Sequence, residues 1–120
     1  MAQRTTVTNA KATHFSGVMM NVQILTASAA VKAGINMLEL DHDSTAIAAT
    51  IADSKNHQIL MVKDTSDAGT TSHTVTLTSG TWDGTNTIIT LDAPKEAIIV
   101  CFDSEGDGTI IENVGSVALS

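Results

Sequence analysis

From residue 73 to residue 119, apolar and polar positions alternate in short β-branched runs separated by Gly- and Asp-rich punctuation. Residues 72–78 (SHTVTLT) place Val75 and Leu77 on one side and Thr74, Thr76 and Thr78 on the other. That period of two predicts a half-buried strand with a solvated threonine face. Trp82-Asp83-Gly84 predicts a turn, and residues 86–91 (NTIITL) the next strand. Pro94 cannot donate to a ladder, so Asp92-Ala93-Pro94-Lys95 breaks the pattern. Residues 97–103 (AIIVCFD) are apolar on both faces, which predicts a central strand. Glu105-Gly106-Asp107-Gly108 is a tight turn signal, and 109–113 and 115–119 close the chain as further strands.

The first half is less regular. Residues 1–16 are polar and Thr-rich without clear periodicity and predict an extended N-terminal arm or a first strand that orders late. Alternation around Val22 and Ile24 suits a strand. Residues 27–32 (ASAAVK) contain good helix formers and predict one short helical turn, stopped by Gly34. Apolar runs at 35–40, 45–51 and 58–63 predict three more strands. Residues 41–44 predict a polar turn, and 64–71 (DTSDAGTT) an exposed loop tip. The expected architecture is an N-terminal arm, 1–16, and a single domain, 17–120. That domain is all-β, mainly antiparallel and sandwich- or barrel-like, with at most one short helix.

Composition narrows the function. A length of 120 residues with 42% hydrophobic content supports one globular core. Aromatic residues make up only 2%, so the core must be built mostly from Ile, Val, Leu, Met and Ala. A carbohydrate-binding platform would have to rely on Trp82. The net charge of −7 argues against direct nucleic-acid binding. Arg4 and Lys11 are the formal charges within 1–14, so the arm is basic while the body is acidic. Such an arm can be a solvated tail or can dock on an acidic partner. Residues 1–14 lack an apolar h-region, so no secretory signal is expected, and the apolar stretch near 18–40 is too interrupted for a membrane span. The lone Cys101, inside an apolar run, reads as a small buried hydrophobe in a reducing compartment.

The chemistry-bearing residues form no recognised constellation. Asp103, Glu105 and Asp107 before Gly108 resemble the start of a calcium loop, but Val114 stands where a bidentate acid is needed and the flanks are strands. His14, His42, His57 and His73 form no ligand spacing for zinc. Catalysis would require a histidine and an acid to converge from loops such as 41–43 and His57, with no nucleophile elbow to help. No cofactor, metal or catalytic residue is expected. The candidate contact residues are Arg4 and Lys11 in the arm, Met19 and Met20 as an adaptable pair beside it, and Trp82. The other reading of Trp82 is a ring folded over the sheet end, capping the core.

The segment HTVTLTSGTWDGTNTIITLDAPKEAIIV (73–100) and the ending TIIENVGSVALS (109–120) resemble the small β-rich proteins of tailed-phage structural modules, especially head decoration (capsid cement) proteins. The shared pattern is a Thr-rich strand, a DGTN turn, a T-I-T-L type strand, an Ala-Pro break, an apolar strand and a terminal G-S-V-A-L-S. It spans residues 73–120, about two fifths of the chain, and is a pattern rather than a signature. The resemblance implies a virion protein, made in the host cytoplasm, that binds the major capsid protein lattice on the outer head surface. It also implies a homotrimer with an arm that clamps it to the shell, and no catalysis, direct nucleic-acid binding or membrane partner. The alternative is a tail- or fibre-associated module that binds a host-surface glycan.

Overall fold

The computed structural model describes residues 20–54, 59–69 and 71–120. The arm, with Arg4, Lys11 and His14, lies outside the described residues, as do Met19 beside it and His57. Ten strands are present and no helix among the described residues. They are β1 (Val22–Leu25), β2 (Ala29–Ala30), β3 (Met37–Leu40), β4 (Ala48–Ile51) and β5 (Ile59–Asp64). There follow β6 (His73–Leu77), β7 (Ile88–Leu91), β8 (Ala97–Phe102), β9 (Gly108–Val114) and β10 (Ala118–Leu119).

The strands form two five-stranded sheets, β9-β8-β5-β3-β1 and β10-β7-β6-β4-β2. Their buried faces share one core, as expected for an all-β sandwich. Leu38, Leu40, Leu60, Val62, Ile98 and Val100 come from the first sheet, and Ala49, Ile51, Val75, Leu77, Ile89 and Leu91 from the second. Branched aliphatics do the work that aromatics do elsewhere.

Strand direction follows a plan that periodicity did not reveal. The first six strands alternate between the sheets, and each sheet stacks its three parallel: β1 on β3 on β5, and β2 on β4 on β6. The chain therefore winds as a flattened coil, in which a strand of the opposite sheet serves as the crossover that parallel neighbours require. After β6 it reverses. β7 lies antiparallel to β6, β8 to β5, β9 to β8 and β10 to β7. Antiparallel pairing thus describes the C-terminal half, where the hairpin-like punctuation is, and parallel pairing the N-terminal half. As expected, 97–102 is an interior strand, flanked by β5 and β9.

The predicted helical turn at 27–32 is not formed. Ala29 and Ala30 pair with Ala49 and Thr50, and the Val31 N–H donates to the Thr50 carbonyl at 2.8 Å. Six residues with no apolar stripe cannot offset helix nucleation, whereas an adjacent strand satisfies the backbone at once. Gln23 secures this first turn of the coil. Its amide donates to the Ala30 carbonyl at 3.2 Å and accepts from the Lys32 N–H at 2.8 Å.

Candidate functional site

The registers place three kinds of surface around this core. The outer face of the second sheet is made of Thr50, Thr74, Thr76 and Thr90 with Ala48 and Ile88. It is the solvated threonine face expected from the sequence.

The outer face of the first sheet is different. One cross-strand row reads Val22, Met37, Met61, Ile99. The adjacent row reads Ile24, Glu39, Lys63, Ala97. Val22 and Ile24 are half exposed or more, at 50% and 58%, and Ile59 and Val114 add 51% each on the same face. A bulge between Ile110 and Glu112 turns Ile111 outward to 60% exposure on the edge strand β9. A groove of about 330 Å³ runs over this face between Met37, Met61, Lys63, Ala97, Ile99 and Val114, with Lys95 at its rim. Cys101 stands here too, half-buried beside Ile59 rather than in the core where the sequence reading put it, because its parity in β8 is that of Ile99. Contiguous apolar surface of this kind marks interaction sites. Glu39 and Lys63 oppose each other on neighbouring strands, yet no ion pair joins them.

One end of the sandwich is sealed by buried polar groups. Residues 64–71 were expected to form an exposed tip, but Asp64 and Ser66 are almost fully buried there together with His73. His73 Nδ1 accepts the Ile47 N–H at 3.0 Å, so the proton sits on Nε2, which faces Ser66 Oγ at 3.2 Å. Ser66 Oγ in turn accepts the His42 N–H and donates to the His42 carbonyl. Asp64 Oδ1 accepts the Ser66 N–H at 2.9 Å and lies 3.9 Å from His73 Nε2. A Ser, a His and an Asp therefore meet, but in the wrong sense for nucleophilic activation. The imidazole offers Ser66 a proton instead of a lone pair, and the serine proton is already given to a carbonyl. Alternation could have placed His73 inside, since it shares the parity of Val75 and Leu77.

The same end holds Glu96, which is buried at the start of β8. Its carboxylate accepts from the backbone N–H groups of Asp92, Ala93 and Ser116 and from the Ser116 hydroxyl. Burial pushes its pKa up, but these hydrogen bonds outweigh that and hold the carboxyl below its ordinary range. Nothing in the sequence pattern marked this residue.

The opposite end is closed by Trp82. The ring is fully buried, stacks at a tilt on Phe102 with centroids 5.4 Å apart, and donates from Nε1 to the Thr87 carbonyl at 3.0 Å. Trp82 is therefore a core cap and has no surface to offer a partner, which corrects its candidacy as a contact residue. Its indole N–H finds an internal acceptor, so nothing draws the ring outward. Met20, by contrast, is 42% exposed just before β1, beside the apolar face. The acids of the suspected calcium loop are engaged in the turn itself. Asp103 Oδ1 accepts the N–H groups of Glu105 and Asp107, and Asp107 Oδ1 accepts the Thr81 N–H and hydroxyl. Among the described residues no group of three or more His, Cys, Asp or Glu is arranged to hold a metal ion.

Comparison with protein-family models, with curated proteins and with solved structures found no match to this chain.

Proposed function

We propose that this chain is a structural assembly protein, a decoration protein that binds the outer surface of a phage head and stabilises the shell. The observation that carries this reading is the apolar outer face of the first sheet, built on a rigid sandwich whose buried Ser, His, Asp and Glu side chains are engaged in holding the fold. A protein of this kind acts by burying surface, at about 25 cal/mol per Å² before association costs. Repetition over a symmetric lattice multiplies modest contacts by avidity. Binding the assembled lattice in preference to free subunits stabilises it by linkage. The glycan-binding alternative needs an aromatic platform, and burial of Trp82 and Phe102 leaves none among the described residues.

The test is to mix the purified chain with undecorated heads and sediment the particles. Co-sedimentation at saturable stoichiometry, with heads more resistant to heat, is the expected result. Heads that sediment without the chain overturn the proposal.

A further inference from the structure

We propose that the outer face of the first sheet is the docking surface for a second copy of this chain, the two related by a two-fold axis running parallel to the strands between β3 and β5. This pairing does not rest on the capsid reading and competes with it, because a face closed on a second copy is not open to the shell.

The register carries the argument. Met37 opposes Met61, and one row along Glu39 opposes Lys63. An axis midway between these strands exchanges β3 with β5 across the interface while leaving position along the strand unchanged. Each Lys63 then lies over the partner copy's Glu39, and each Met61 over the partner copy's Met37. The same operation carries β1 onto β8, so Val22 meets Ile99 and the larger Ile24 meets the small Ala97. Every facing pair is of compatible chemistry. The two charges left without an ion pair in one copy find partners in the other, and the thioethers adapt to the remaining gaps. Glu112, on β9, falls beyond the partner copy's β1 and stays at the wet rim. Within the two rows over β1, β3, β5 and β8 the face is charge-balanced, although the chain as a whole is acidic at −7. This is the part of such a surface that two like-charged copies can bring together.

The area suits a weak, reversible pair. Four strands about 4.8 Å apart, each presenting four to six residues at about 3.3 Å, make a flat area of roughly 300 Å² per copy. Side-chain relief brings the two copies to roughly 800–1,000 Å² together, the size of transient interfaces. A single face meeting itself is isologous and closes at two. A trimer, the state the phage resemblance implies, would need two different patches in contact.

Sedimentation equilibrium of the full chain is the test. The expected result is a dimer. Met61→Glu, at the centre of the face, is expected to weaken it roughly tenfold or more by burying an unpaired charge. Should that variant not fold, the charge pair decides. Lys63→Glu and Glu39→Lys are each expected to weaken the dimer, and the double exchange to restore it, with circular dichroism unchanged throughout. A monomer, a trimer, or a dimer indifferent to these exchanges overturns the pairing. Head binding is read separately: a dimer that ignores heads leaves this inference standing, and a monomer that binds them refutes this inference alone.

Discussion

Glu96 accepts two hydrogen bonds from Ser116 on a single carboxylate oxygen, one from its backbone N–H and one from its hydroxyl, each 2.6 Å long. The other oxygen accepts from Asp92 and Ala93 at 2.7 and 3.1 Å. One side chain thus ties the β7–β8 turn to the β9–β10 turn. Gly115 allows the close approach, since a Cβ there would sit 2.8 Å from Glu96 Cγ, and its φ of +94° is one that glycine adopts freely.

Glu96 makes stability depend on acid. Its folded-state pKa is lowered below 4.5, so folding favours the ionised form. That contribution is complete above the unfolded value and is lost as pH falls through the folded one. The urea midpoint is therefore expected to drop between about pH 5 and about pH 3 more steeply in the native chain than in Glu96→Gln. At pH 7 the substitution is expected to cost about 1.5–3 kcal/mol, the range for hydrogen bonds to a charged group. Parallel pH profiles for the two proteins would refute the clamp.

His73 is expected to be a structural residue. Replacing it by Leu strands the buried Ile47 N–H and removes the donor to Ser66, at a cost of about 2–3 kcal/mol. His73→Leu should lower the thermal midpoint by several degrees, and an unchanged melting curve would contradict the assignment.

Gly108 is held small by Trp82. An added Cβ would come within 2.9 Å of the indole Cε3 and 3.4 Å of Phe102 Cε1. Gly108→Ala is expected to cost about 1–3 kcal/mol by overpacking and to shift the tryptophan emission as the ring moves. Identical emission and an identical urea midpoint would show that the cap has slack.

The second sheet should tolerate charge where the first does not. Thr76 points outward from β6 between Thr50 and Ile88. Thr76→Glu is expected to change stability by no more than about 0.5 kcal/mol and to leave the sedimentation coefficient unaltered. A change in assembly caused by this substitution would move the contact surface to the threonine face.

The C-terminal strands were legible because alternation and turn chemistry are local. Val75 and Leu77 against Thr74 and Thr76 describe one strand completely, and the breaks at Pro94 and Gly106 follow the ends of β7 and β8. Ala29 and Ala30 look helical in sequence because two alanines carry no period, and the partner that makes them a strand, β4, lies some twenty residues on. Asp64 and Ser66 are buried against local expectation for a related reason. A polar pair looks exposed until the histidine, lysine and carbonyl groups that satisfy it are brought together. The contact candidates divided similarly. Met20 is on the surface, Trp82 is not, and the apolar face that matters most comes from four strands, none of which looks unusual alone.

By itself the sequence determined that this protein is all-β, that its core is aliphatic, and where most of the strands lie, because side-chain period and turn propensity act over a few residues. Tertiary structure alone decided the parallel coil of the first six strands, the polar seal around His73 and Glu96, the burial of Trp82, and the alignment of Met37 with Met61 and Glu39 with Lys63 on one outer face. These depend on register between strands distant in the chain, and register is set by what the whole core can bury at once.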